Sequence, residues 1–363
     1  MLKPPVLVLA CAISVWPFSH RSVLSGAPAA GAGAVAGAVI AGVVPPQEPS
    51  PQPSFDEFVA GVRTEALSRG ITAATLDAAL ADLKAPEPVV VARDRAQPEQ
   101  TQSLDQYVAQ RISSRTITTA RRMLAAHRPL LRKVEQAYGV PAHLMVSIWG
   151  LESNFGRFTG SYPTIQALAT LAYDNRRPLF RRELFDALAI VDRGVIALDE
   201  LKGSWAGAMG QPQFMPSSYL RHAVDFDGDD RADIWSSQAD VFGSMANYLK
   251  NAGWREGERW GREVRVTKAA MTKVDRAVPM RSSGCRAIRE LTAARPLAEW
   301  TTLGVALPGG GRLPTADMEA SLVRGQKRHF LVYRNYEAIL DYNCSNSYAV
   351  SVGVLADRIA AGR

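Results

Sequence analysis

Cysteine is scarce in this chain: three in 363 residues, at Cys11, Cys285 and Cys344. So few thiols exclude a disulfide framework as the source of the fold. No Lys/Arg block interleaved with aromatic residues occurs, so the pattern expected of a nucleic-acid binder is missing. No internal repeat occurs either. What is present has the balance of a globular protein, 47% hydrophobic and 21% charged. At 363 residues the chain exceeds one typical domain and can bury a sizeable core. The formal net charge of +7 favours an acidic partner, either anionic lipid or an acidic polymer once nucleic acid is set aside.

The N-terminus reads as a leader rather than as part of the fold. Lys3 precedes the apolar run 6–16, and an uncharged Ala/Gly-rich stretch covers 22–44. A proline-rich spacer follows at 45–54. This pattern resembles an export signal plus linker. The second stretch is long enough to span a bilayer but only weakly hydrophobic, so an uncleaved anchor stays open beside cleavage. Val8-Leu9-Ala10-Cys11 partly resembles a lipoprotein box, but Leu9 is unusual there and argues against lipidation. Removing the leader leaves Cys285 and Cys344, an even pair that an exported protein can oxidise to a disulfide. Two buried thiols are the alternative.

From Phe55 to Tyr138 the apolar spacing is helical, and Gly139 supplies a stop signal. Helices continue from Pro141 to Trp254 with Gly-, Ser- and Asn-rich loops. Between Arg259 and Tyr333 the character changes. Residues 263–267 and 330–333 alternate, and Pro308-Gly309-Gly310-Gly311 supplies a turn, which predicts a small antiparallel sheet. Helical pattern returns over 336–340 and 348–359. The division expected is 1–54 leader and linker, 55–258 helical extension and core, 259–333 β domain, and 334–363 helices returning to the core.

One carboxylate closes an apolar helical run in Ile148-Trp149-Gly150-Leu151-Glu152-Ser153-Asn154-Phe155-Gly156. Pro141 fits the first helical position. Leu144, Ile148 and Glu152 lie four apart and share a face. Desolvation disfavours the charged carboxylate, so the Glu152 pKa is expected to rise, as a general acid requires. The plainer reading is the solvated end of a core helix.

Three further segments carry chemistry. Asp225, Asp227 and Asp229 match positions one, three and five of an EF-hand loop, with the Arg231 carbonyl at seven and Asp233 at nine. Position six is Asp230 instead of Gly, which left-handed geometry tolerates in Asp. Position twelve is Ser236 instead of Glu, so Asp240 is the candidate closing ligand of a longer calcium loop spanning 225–240. A solvated acidic turn is the alternative. Residues 202–219 combine small residues that let a ligand approach with Gln213, a donor and acceptor; a tight interhelix loop would look the same. Residues 342–348, with Tyr342, Asn343 and Tyr348, could equally be a capping turn.

Together these segments resemble the lytic murein transglycosylases of glycoside hydrolase family 103, the membrane-bound lytic transglycosylase B type. The likeness rests on 149–156, on Tyr162-Pro163-Thr164-Ile165-Gln166-Ala167-Leu168, on Ala206-Gly207-Ala208-Met209-Gly210 through Tyr219, on 225–235 and on Tyr342-Asn343. It covers roughly 55–359. It implies a mainly α (α+β) fold: a lysozyme-like helical core, a helical extension and a small antiparallel β domain. It implies a carbon–oxygen lyase that cuts the MurNAc-β-1,4-GlcNAc bond without water and leaves a 1,6-anhydro end. Glu152 would be the single acid/base, with Ser204, Gln213, Tyr248, Tyr342, Asn343 and Tyr348 along the cleft, and Arg176 and Arg177 in the family's arginine pair. Asp225, Asp227, Asp229 and Asp240 would hold calcium, with no cofactor needed for the chemistry. The expected partner is peptidoglycan, the expected compartment the periplasm, and the expected state a monomer. A lysozyme-type hydrolase and a non-catalytic wall-binding protein are the rival readings.

Overall fold

The computed structural model describes residues 52–96, 102–174 and 178–361. The leader and Arg176 and Arg177 lie outside the described residues. Among those described, no helix is long and apolar enough to cross a membrane.

The first helices are α1 (Phe55–Ser68), α2 (Ala73–Leu80) and α3 (Pro88–Ala96). Ser54 starts α1 with a capping box: its hydroxyl accepts from Glu57 N at 3.2 Å, and the Glu57 carboxylate accepts from Ser54 N at 2.7 Å. Then come α4 (Leu104–Arg111), α5 (Ser114–Ala126), α6 (Arg128–Tyr138) and α7 (Ala142–Ser153). Ser103 and Ser113 cap α4 and α5, and Gly139 ends α6 in left-handed geometry, φ 71°. Pro141 stands one place earlier than expected. Its ψ of 138° is extended, so it is the N-cap of α7 and Ala142 is the first helical residue.

The chain continues through β1 (Tyr162–Pro163), α8 (Thr164–Tyr173), α9 (Leu179–Asp192), β2 (Lys202–Gly203), α10 (Pro216–His222) and α11 (Gln238–Asn251). Next are β3 (Gly261–Val264), α12 (Lys268–Ala277), α13 (Arg286–Arg289), β4 (Arg295–Pro296), α14 (Leu297–Thr302), β5 (Glu319–Arg324) and β6 (His329–Val332). The chain closes with α15 (Arg334–Tyr342) and α16 (Asn346–Ala360). The fold is mainly helical, with a four-stranded antiparallel sheet in the order β3-β6-β5-β4 and a small β1–β2 pair.

In the sheet, Val264 pairs with His329, and Leu322 pairs with Leu331. The expected strand at 263–267 is displaced toward the N-terminus, because Arg265 leaves β6 to bridge Ala306. The turn near Pro308 forms, with Gly310 N donating to Leu307 O at 2.8 Å, but it leads from α14 toward β5. The β5–β6 hairpin turns at Gly325–Arg328 instead, where Gly325 N donates to Arg328 O at 2.8 Å. The Asp105 carboxylate of α4 accepts the amides of Gln326, Lys327 and Arg328 there.

Apolar side chains bury in three groups. The largest joins α5–α7, α11, α15 and α16. A second joins α1–α3 to α8 and α9. The third lies between the sheet and α12 and α14. Helix α7 is buried on nearly every side and packs along α16, where Ser147 Oγ donates to Val352 O at 2.7 Å. Gly353 of α16 lies flat against the Trp260 ring, where a Cβ would overlap it. Cys285, at the start of α13, is joined by a disulfide to Cys344 in the α15–α16 connection, with Cα atoms 6.4 Å apart.

Candidate active site

Glu152 is the penultimate residue of α7 and is 3% exposed. The chain reverses directly after it through three left-handed residues, Asn154 (φ 49°), Phe155 (φ 61°) and Gly156 (φ 77°). Non-glycine residues in this region cost about 1–3 kcal/mol each and cluster at working sites. Here the reversal is held by Phe155 N donating to Trp149 O at 3.3 Å and Gly156 N donating to Ser153 Oγ at 3.0 Å. The Phe155 ring then stands edge-on to Trp149, 5.6 Å between centroids. At Gly156 a side chain would run into the Gln211 amide.

Gln211 is the residue that sequence reasoning missed. Its Oε1 accepts from Trp149 Nε1 at 2.8 Å and from Gln238 Nε2 at 3.0 Å, and its Nε2 donates to Trp235 O at 2.9 Å. It therefore ties the end of α7 to the 225–235 loop and to α11. It stands two residues before Gln213 in the same Gly-rich segment, and that was the only sign of it.

The 202–215 segment folds back on itself, with Met209 bridging both Gly203 and Phe214. Ser204 is completely buried, and its hydroxyl oxygen accepts the amides of Ala206 (3.3 Å) and Ala208 (3.1 Å). That oxygen shapes the loop. Gln213 has φ 54°, and its Nε2 donates to Thr159 O at 3.0 Å and Gly210 O at 2.9 Å, which links the loop to the chain leaving Glu152. The next helix, α10, is capped from α9: the Glu183 carboxylate accepts from Ser217 N at 2.9 Å and Ser217 Oγ at 2.7 Å. Burial pushes Glu183 above the usual carboxylate range despite these bonds.

Tyr342 comes to the same segment from the far end of the chain, its hydroxyl donating to Pro212 O at 2.7 Å. Its ring lies 4.8 Å from Tyr248 and 5.8 Å from Phe214. Tyr248 donates to Asp341 O at 2.9 Å, and burial together with the Asp341 charge raises its phenol above the ordinary range. His222 packs on Tyr248 at 4.4 Å, and burial, helped by the Arg221 charge, pushes its ring down to about 4. Tyr248, Tyr342 and Gln213 are thus brought together around Phe214 and Pro212. Asn343 is buried, and among the described residues its Oδ1 has no hydrogen-bond partner. Tyr348 is 2% exposed in the first turn of α16, where its amide donates to the Ser345 hydroxyl.

In the acidic loop, carboxylate oxygens of Asp225, Asp227, Asp229 and Asp240 lie within 4.8 Å of one another. Asp230 takes left-handed geometry, φ 67°, at the position where the EF-hand has glycine. Asp240 is fully buried and accepts from Phe226 N and Asp233 N, both at 2.7 Å. Asp225 accepts from Gly228 N at 2.6 Å and Asp230 N at 2.8 Å. Burial acts to raise Asp225, but these amides outweigh it and hold the carboxyl below its usual range. Asp233 Oδ1 accepts from Trp235 N and Ser236 N, so it braces the loop's exit, with Ser236 Oγ on its other oxygen. Arg231 N donates to Asp229 Oδ1 at 3.0 Å. Four convergent carboxylates in a pinned loop fit a hard oxygen-seeking cation such as calcium.

The family model described as "Transglycosylase SLT domain" matches residues 54–357. The membrane-bound lytic murein transglycosylase B of Escherichia coli (strain K12) is 44% identical over 137 residues. That stretch is 36% of this chain and 36% of the relative, so the match spans about a third of the relative's length. Among solved structures, SltB3 from Pseudomonas aeruginosa in complex with NAG-anhNAM-pentapeptide superposes with a TM-score of 0.75 at 39% identity. That likeness covers 85% of this chain and 80% of that one. The Escherichia coli lytic transglycosylase Slt35 in complex with calcium gives 0.68 at 27% identity, over 86% and 94% of the two chains.

Proposed function

The chain belongs to the transglycosylase SLT domain family, and we propose that it cleaves the MurNAc-β-1,4-GlcNAc bond of peptidoglycan without water, leaving 1,6-anhydro-MurNAc ends. The observation that carries this reading is the buried Glu152 at the end of α7, inside a helix end braced by Trp149, Ser153 and Gln211. The neutral carboxyl is the form that can protonate a leaving group.

The bracing residues bring no second carboxylate. A two-carboxylate glycosidase uses the second one as base or nucleophile. Here Glu152 serves twice. It donates its proton to the glycosidic oxygen as the bond to the anomeric carbon breaks. The substrate's own N-acetyl group and the dipoles of the cleft stabilise the oxocarbenium-like state. The Glu152 carboxylate then takes the proton of the MurNAc C6 hydroxyl, whose oxygen closes on the anomeric carbon. Tethering within one sugar gives that hydroxyl a high effective concentration, which lets it replace water.

Gln213, Tyr248, Tyr342 and Asn343 are read as the glycan-binding wall, and Tyr348 as its buried support. Ser204 is read as a cleft residue whose oxygen also holds the loop's shape. Asp225, Asp227, Asp229, Asp240 and the Arg231 carbonyl would hold calcium. The ion would fix the loop that Gln211 ties to α7, with no part in bond cleavage. The leader is read as an export signal delivering a monomer to the periplasm.

The test is mass spectrometry of peptidoglycan digested by the chain and by Glu152→Gln. Anhydro-muropeptides are expected from the first and none from the second. Products carrying an added water would instead identify a lysozyme-type hydrolase, and products from the variant would remove Glu152 from its role.

A further inference from the structure

Between Asp105 and Glu135 the sequence has seven cations and no acidic residue. That span alone equals the formal net charge of the chain, +7, so the remaining residues balance. The structure folds it into the end of α4 and the α5–α6 hairpin. Arg115, Arg121, Arg122, Arg128, Arg132 and Lys133 are all exposed there. Among the described residues none of these six has a carboxylate in ion-pair range. Arg121 donates to Arg358 O at 2.7 Å, which brings the exposed Arg358 of α16 to the same region. Arg128 and Arg132 border a dent floored by Leu124 and Ala142, with half-buried Glu135 on its rim.

The dent meets α7 at its first residue, whereas Glu152 is the eleventh. At about 1.5 Å per residue the two are about 15 Å apart along the helix. The dent is therefore offset from Glu152 by nearly three turns of α7, and the hairpin comes nearer to Glu152 only through His127. Its corner is firmly seated: the His127 ring packs edge-on against Trp149 at 5.4 Å and Phe242 at 5.6 Å. An unpaired cluster of one sign raises the local concentration of an opposite charge, and guanidinium groups match carboxylates in bidentate geometry.

We propose that the α5–α6 face is a second binding surface for the carboxylate-bearing peptides of the cell-wall polymer, holding the enzyme on the wall while the cleft works. The inference rests on the peptidoglycan reading of the cleft. A carboxylate polymer is favoured over a lipid surface because the exposed large apolar residues, Leu67, Val89, Phe158 and Met280, all lie outside this hairpin.

The experiment measures binding of the full chain carrying Glu152→Gln to insoluble peptidoglycan sacculi, so turnover plays no part. Arg122→Gln/Arg128→Gln/Arg132→Gln is compared with a control of equal charge loss on α12, Lys268→Gln/Lys273→Gln/Arg276→Gln. The hairpin variant is expected to bind about tenfold more weakly, the control like the parent, and the difference to vanish in high salt. Equal binding by the two variants overturns the proposal. So does a hairpin-dependent association with phosphatidylglycerol vesicles that sacculi binding does not share. The cleft's reading is judged separately, by anhydro product from the unmutated chain.

Discussion

The indole nitrogen of Trp149 donates to the side-chain oxygen of Gln211 at 2.8 Å, and this bond joins α7 to the Gly-rich loop 62 residues away. Trp149 is three residues before Glu152 and also carries the edge-on contacts of His127, Phe155 and Phe242. Removing Gln211 leaves a buried indole N–H without its acceptor, at a cost of about 1–3 kcal/mol. Gln211→Ala is therefore expected to lower the urea midpoint and to reduce kcat more than it raises KM, because the end of α7 loosens. Gln211→Glu keeps an acceptor for the indole and should recover part of kcat. An unchanged kcat in Gln211→Ala would detach this bond from the positioning of Glu152.

Gly353 tests packing between α16 and the sheet side of the core. Gly to Ala in a helix interior normally gains up to about 1 kcal/mol. Here the added methyl overlaps the Trp260 ring, and overpacking costs typically 1–3 kcal/mol. The second effect is larger, so Gly353→Ala should lower the melting temperature. Adding Trp260→Leu should restore part of the loss, and thermal unfolding of the single and double variants reads both.

How much of this was legible in the sequence depended on range. The end of α7 and the stop at Gly139 are local signals, and the structure forms both. The acidic loop is equally local, since carboxylates two apart converge once Asp230 turns left-handed. Strand β5 was illegible because four successive residues, Ala320 to Val323, are buried, so no alternation marks it. Tyr342 reaches Pro212 across 130 residues, which no local pattern encodes. The resemblance sets Ser204 along the cleft, and the amides of Ala206 and Ala208 that its oxygen accepts are legible only in the fold.

The Cys285–Cys344 disulfide closes a loop of sequence separation 59 and fastens the connection that holds Asn343 and Ser345 to the start of α13. A disulfide of this kind contributes typically about 2–4 kcal/mol. Cys285→Ala/Cys344→Ala, or reduction of the unmutated chain, should lower the unfolding midpoint accordingly. Asn346 Nδ2 also donates to Ala287 O at 2.9 Å, so the connection keeps a second tether and the reduced protein should still fold. If the reduced and oxidised proteins unfold alike, the bridge does not constrain the chain in solution.

Chelation should soften the acidic loop. An ion that binds only the folded state stabilises it by an amount that grows with concentration, about 2.7 kcal/mol at a hundredfold excess over Kd. Added calcium is expected to raise the melting temperature of the unmutated chain, and a chelator to reverse the change. Asp225→Asn should abolish the response while leaving the other carboxylates of the cluster in place. The same rise in the variant would assign the stabilisation to another site.

His222 gives the protein an acid sensitivity whose sign follows from its surroundings. Burial against Tyr248, with the Arg221 charge beside it, lowers its pKa from 6.5 to about 4. Between pH 6.5 and 4 the unfolded chain binds a proton at this position that the folded chain refuses. Stability therefore rises with pH across that window and is fully present above the unfolded pKa. Asn251 Nδ2 lies 3.3 Å from His222 Nδ1, and the neutral ring can accept there whereas the charged one cannot. Urea midpoints measured from pH 7 down to pH 4 should fall more steeply for the unmutated chain than for His222→Gln. The carboxylates titrate in both, so the difference between the two curves isolates the ring. Parallel curves would mean that His222 is as accessible to protons in the folded protein as in the unfolded one.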